Sequence, residues 1–281
     1  MNNRRVAATA TLAALALCLA GGERPAQGQD RPPGQIVDVA QQVTIAKAID
    51  TLPKPLKKFY EKHREEMPSL ALEPRFPVRG PDRRFALDHL LPFPFVGLPR
   101  SEAALKAKFG EKATGIGRLP WLLEAAYRRL VEAFRAGDKT RILEVSDEVG
   151  GLVVDLHSPL NLTENYDGQE TGQQGLWIRL SEKLPEAMGK DLKLDPDAAN
   201  YLDDPDEYVF SVMLETYVWV DNLLYLEALA SRSKSGHDAF YYDTLVRRVG
   251  PILRHLLSRA AEDAGSYWYT AWTVAGRPDL E

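Results

Sequence analysis

Apolar residues recur three and four positions apart through most of this chain, and no strand-length run alternates cleanly between apolar and polar residues. One stripe, Leu123, Ala126, Tyr127, Leu130, Val131 and Phe134, follows Pro120 and stops at Gly137, which predicts a helix over residues 121–136. The same spacing predicts helices over 36–49, 56–66, 139–156, 176–188, 209–229 and 241–260, the last kinked at Pro251. Ser101 with Glu102 reads as the capped start of a short helix over 101–109. Residues 67–99 carry seven prolines and hold no period, yet Leu70, Leu72, Phe76, Phe85, Leu90 and Phe93 run through them and call for a surface to pack on. An acidic turn region is expected over 195–206, and the aromatic run Tyr267, Trp268, Tyr269 and Trp272 belongs to a terminal helix packed on the core. These patterns predict an all-α fold without internal repeats, a single multi-helical domain over residues 36–281.

The remaining residues read as targeting sequence. Residues 1–20 place Arg4-Arg5 before an apolar stretch too short to span a bilayer, the pattern of a signal peptide, and 21–35 form a loose Pro- and Gly-rich leader. The expectation is export to the periplasm or the extracellular space, with no transmembrane helix in the mature chain. The full chain has 281 residues, 44% of them hydrophobic, enough for one sizeable core. Its net charge is −5 and no Lys/Arg run exceeds two residues, so the electrostatic footprint of a nucleic-acid binder is absent. Cys18, inside the signal peptide, is the single cysteine. A mature chain without it has no disulfide and no zinc–thiolate site, so any metal would need His, Asp or Glu.

The most informative stretch is 150–181. A helical run containing Gly150-Gly151 ends at Asp155-Leu156-His157, Ser158-Pro159 breaks it, and a polar loop with Asn165, Asp167, Gly168, Glu170, Gly172 and Gly175 leads to Leu176-Trp177. Each glycine costs a helix roughly 1 kcal/mol against alanine, which implies close approach of another group there. So long and polar a loop between helices points to a functional role or to disorder. Its Asp167-Gly168 is a tight turn and not a calcium loop, because Thr163 and Gln174 stand where that loop needs its first and last acidic ligands. No two histidines share a helical metal-binding spacing. Asp155 and His157 are the residual catalytic candidates, although His157 reads more simply as a solvent-facing or helix-capping residue.

Residues 51–53 (TLP) with Phe59-Tyr60, 117–121 (GRLPW), 155–160 (DLHSPL), the loop 164–175 (ENYDGQETGQQG) and 268–272 (WYTAW) together resemble the zinc-dependent phospholipase C and single-strand-specific nuclease superfamily, in particular its secreted bacterial branch. That resemblance implies its multi-helical fold and a trinuclear zinc site at which a metal-bound water attacks a phosphodiester. Carried over position by position, most of that site is replaced. The N-terminal Trp ligand has no counterpart, and the ligand positions fall on Gln41, Glu73, Arg84, Gly151, Asp155, Asn161, Trp177 and Ser181. Only Asp155 is retained as it stands, with Glu73 a conservative change, and two carboxylates cannot hold three zincs that each want about four ligands.

The resemblance therefore implies a protein that kept the fold and lost zinc and phosphodiesterase activity, with no cofactor and with a small ligand or an envelope component as partner. Arg84 is expected to pair with Glu73 or Asp155 and Trp177 to pack on Gly151. The competing readings are a hydrolase with a reduced site at Glu73 and Asp155 that recruits His157 or His89, and a cell-envelope interaction module.

Overall fold

Asp38 starts the first helix by accepting the Gln41 backbone N–H at 2.9 Å, and α1 runs Val39–Thr51. Pro53 precedes α2 (Lys54–Lys62), and a 3₁₀ turn at Pro81–Arg83 precedes the short α3 (Leu87–Leu90). Ser101 caps α4 (Glu102–Phe109) by accepting the Ala104 N–H at 3.2 Å. Gly137, in the left-handed region at φ 64°, ends α5 (Leu119–Ala136). Asp138 then caps α6 (Lys139–Leu156). A continuous helical segment follows the polar loop as α7 (Leu176–Ile178), a π-helical turn at Arg179–Lys183, and α8 (Leu184–Met188). The last four helices are α9 (Pro205–Tyr217), α10 (Val220–Ala230), α11 (Ala239–Arg248) and α12 (Gly250–Val274).

This computed structural model describes residues 38–72, 74–75, 79–232 and 236–280. Among them the structure is all-helical, with no strand, and no helix is long and apolar enough to cross a membrane. The expected signal peptide and leader, residues 1–35, lie outside the described residues, as does Glu73.

The centre of the core is the packing of α1, α5, α6 and α12 on one another. Trp268 of α12 stacks on Tyr60 with ring centroids 4.8 Å apart, and its indole N–H donates to the Ser146 carbonyl at 3.0 Å. The Tyr60 hydroxyl lies 2.6 Å from Ser146 Oγ, so both aromatic polar tips are satisfied inside the core. The apolar residues of the proline-rich segment divide. Phe85, Leu87 and Leu90 are buried, whereas Leu72 is 97% exposed and Phe93 55%.

Three expectations about helix ends change. Residues 209–229 form two helices, because a 3₁₀-type bond from Trp219 N–H to Thr216 O tightens the chain after α9. Pro251 does not kink a helix. It sits in the first turn of α12, where its missing N–H costs nothing, and the chain breaks before it. The aromatic run near the C-terminus is the second half of that same helix, which continues to Val274.

Candidate functional site

Four-residue spacing along α6 puts Asp147, Gly151 and Asp155 on one face, opposite α1 and the segment that follows α2. Each of the three meets a different polar partner. Asp147 accepts the Ser69 backbone N–H at 2.9 Å and the Ser69 hydroxyl at 2.8 Å. Ser69 Oγ in turn receives Gln41 Nε2 at 2.9 Å. A Cβ at Gly151 would meet the end of the Gln41 side chain at 3.0–3.1 Å. The group against Gly151 is therefore the Gln41 amide and not Trp177 as expected: the glycine makes room for a polar side chain from α1.

Asp155 closes the row. Its Oδ1 lies 3.1 Å from Arg79 Nη1, and its Oδ2 accepts Arg83 Nε. Asn161, one turn beyond the helix, donates Nδ2 to the Asp155 carbonyl at 3.0 Å. Arg79 also pairs with Asp38, so one guanidinium ties the start of α1 to the end of α6. Burial pulls the charged form of Arg79 down, but Asp155 and Asp38 outweigh it and hold its pKa above the usual value. Burial pushes the Asp38 carboxyl up despite Arg79, and pushes Asp147 up to about 6 although Ser69 donates to it.

The loop 163–175 supplies the rest. Asp88 accepts the Glu164 N–H at 2.8 Å and the Tyr217 hydroxyl at 3.1 Å, which fixes one end of the loop. Asp167 accepts the backbone N–H groups of Gly175 at 3.0 Å and Trp177 at 3.1 Å, so it holds the start of α7. Arg179 donates to the Gln173 carbonyl at 2.9 Å and the Gln174 carbonyl at 2.7 Å, and is itself paired with buried Glu227. These bonds present Tyr166 and Trp177 to a cleft also lined by Arg79, Arg83, Arg84, Asp155 and Asn161. Trp177 Nε1 donates to Asn161 Oδ1 at 3.1 Å. Arg84 lies over the Tyr166 ring, 3.6 Å from its centroid, and not on Asp155, one of its two expected partners, where the neighbouring Arg83 stands instead; the other, Glu73, lies outside the described residues.

The structure thus gathers Arg84, Asp155, Asn161 and Trp177 around one cleft, with Gln41 and Gly151 in contact behind it. Ser181 lines an adjoining cavity. The two histidines proposed for recruitment turn elsewhere. His157, the C-cap of α6, is buried, with Nδ1 3.0 Å from the Val153 carbonyl and Nε2 3.1 Å from Asp263. His89 Nδ1 lies 2.9 Å from Glu164. His157 caps its helix, as one reading of the sequence had it, but it does not face solvent. Asp147, Arg79 and Arg83 were not anticipated, although the i, i+4, i+8 spacing from Asp155 back through Gly151 to Asp147 is visible in the sequence.

Zinc, which the family resemblance implies, does not suit these residues. Both carboxylate oxygens of Asp155 face guanidinium groups, and among the described residues no three His, Cys, Asp or Glu side chains are grouped to hold a metal ion. What the arrangement offers is fixed positive charge flanked by two aromatic rings. Guanidinium groups bind carboxylate and phosphate oxygens in planar, two-pronged fashion. Arg83 lines the cleft, and its Nη2 is buried and makes no hydrogen bond among the described residues.

Compared with known proteins, the chain matches no family model and no curated protein.

Proposed function

We propose that this chain is an exported phospholipase C/nuclease-like protein that has lost its zinc site and phosphodiesterase activity and binds an anionic ligand in the cleft of Arg79, Arg83 and Arg84. One observation carries the reading: the carboxylate at the retained ligand position, Asp155, is neutralised by two arginines of its own chain. A divalent cation there would have to displace both guanidiniums from a buried site, against fixed positive charge. Asn161 and Trp177, at two former ligand positions, hydrogen-bond to each other instead. Tyr166 and Trp177 would flank the ligand, and Arg83 Nη2 would donate to it.

The test is zinc content by elemental analysis after dialysis against trace zinc, with hydrolysis of an activated phosphodiester assayed in parallel and titration with inorganic phosphate. Near-zero zinc, no zinc-dependent hydrolysis and saturable phosphate binding are expected. One or more tightly held zincs with zinc-dependent turnover would overturn the proposal in favour of a reduced but active hydrolase.

A second reading, a cell-envelope interaction module, draws on a different surface. Phe93 and Val96 are 55% and 81% exposed, and Phe93 stacks on Tyr217 beside half-exposed Val218. Loss of envelope association on Phe93→Ser and Val96→Ser, with phosphate binding intact, would favour that reading.

A further inference from the structure

A second cavity lies next to the arginine cleft, and its lining is mostly hydrocarbon: Val154 of α6, Leu180, Leu223 of α10, and Leu253 and Leu257 of α12. Arg79 lines both cavities and is the charged side chain common to them. His157 also lines the apolar cavity, but its two ring nitrogens are turned to the Val153 carbonyl and to Asp263. Ser158 and Ser181 supply the remaining polar atoms. An apolar recess joined to a few polar groups is the usual make-up of a small-molecule site.

We infer that the two cavities together take a short unbranched aliphatic carboxylate, its head among Arg79 and the unpaired Nη2 of Arg83 and its first few methylenes among the leucines, in a recess of about 50 Å³. The inference rests on the anion-binding reading above and names the ligand class. Charge complementarity sets the head: Arg79 and Arg83 present planar donors that match a carboxylate, and Arg83 Nη2 is a buried donor that a head group would satisfy. The recess sets the tail, because its walls gain nothing from water and gain from each methylene placed against them.

Isothermal titration calorimetry on the full mature chain tests this with a series of acetate, butyrate, hexanoate and octanoate below micellar concentration, alongside inorganic phosphate, octyl phosphate and octanol. The expected result is that affinity rises about fourfold per added methylene until the recess is full, and that octanol binds at least tenfold more weakly than octanoate. Leu253→Trp, at a half-buried position, is expected to abolish the chain-length dependence while acetate and phosphate binding persist. Affinity independent of chain length, with phosphate still binding, would overturn the inference and leave the anion-binding reading standing. Octanol binding as tightly as octanoate would overturn the carboxylate head, and the anion-binding reading falls with it if inorganic phosphate also fails to bind. Octyl phosphate binding far more tightly than octanoate would overturn the carboxylate assignment alone. The wild-type series decides these points even where Leu253→Trp fails to fold.

Discussion

Nη1 of Arg79 lies 3.1 Å from Oδ1 of Asp155, and the same carboxylate accepts Nε of Arg83 through its other oxygen. The Asp155 side chain is 1% exposed, so this arrangement is one anion shared by two cations inside the protein. Removing the anion leaves Arg83, largely buried, without its ion-pair partner, and leaves Arg79 with Asp38 alone. Asp155→Asn is therefore expected to destabilise the protein by about 3 kcal/mol, the scale for stranding a buried charge, read as a lower midpoint in urea unfolding at neutral pH. A change below about 1 kcal/mol would mean that the arginines relax to solvent, and the case for a fixed cationic site would fail with it.

Arg84, by contrast, has its guanidinium over the Tyr166 ring and lines the cleft without pairing with Asp155. Arg84→Ala should leave urea stability within about 1 kcal/mol and weaken phosphate binding about tenfold. Equal binding in the variant and the wild type would remove Arg84 from the ligand site.

Two glycines separate close packing from polar accommodation. A Cβ at Gly265 would overlap Thr51 Oγ1, whose hydroxyl donates to the Ala48 carbonyl at 2.7 Å, and would stand 3.2 Å from that same carbonyl oxygen. Here α12 crosses α1 with almost no space, and Gly265→Ala is expected to cost about 2 kcal/mol. At Gly151 the added atom meets the flexible end of Gln41 at 3.0–3.1 Å. There the gain in helix propensity, about 1 kcal/mol, offsets the adjustment, so Gly151→Ala should be nearly neutral. Thermal melts of both variants check the ranking.

The helices were legible because their signals are local. The 3.6-residue stripe, Ser101 as a cap and Gly137 as the stop all act within a turn or two of chain. The interruption at Val218 and Trp219 was not legible, since apolar residues continue through it and only the backbone geometry departs from the helix. Within the cleft, the positions of Asp155, Asn161, Trp177 and Arg84 came from resemblance along the chain. Their partners did not. Which of Arg79, Arg83 and Arg84 reaches Asp155 depends on the path of an irregular proline-rich segment, and no periodicity encodes that path. The pairing of Gln41 with Gly151 likewise depends on how α1 crosses α6, a tertiary fact.

Asp147 and Glu227 are buried carboxylates with opposite histories, and the pH dependence of stability should show both. Burial raises Asp147 from 3.8 to about 6, so the folded state holds its proton more tightly than the unfolded state. Stability from this group is greatest below pH 4 and declines as pH rises through about 6, by on the order of 3 kcal/mol in all. Burial also acts to raise Glu227, but hydrogen bonds from Gln173 and Tyr241 and the charge of Arg179 outweigh it, and its pKa falls below 4.5. Its contribution is present above 4.5 and is lost as pH drops through the lowered folded value. Asp147→Asn should therefore flatten the decline between about pH 4 and 6 and leave the acid limb unchanged. Glu227→Gln should flatten the acid limb and lower stability at neutral pH by about 3 kcal/mol, because Arg179 loses its buried counter-charge. Arg179 also holds the Gln173 and Gln174 carbonyls, so Glu227→Gln should speed amide hydrogen exchange in the loop that carries Tyr166, while Asp147→Asn should not. Urea unfolding from pH 2.5 to 7 with hydrogen exchange on both variants separates the two carboxylates. A single slope shared by both variants would mean that neither is held in the state its surroundings dictate.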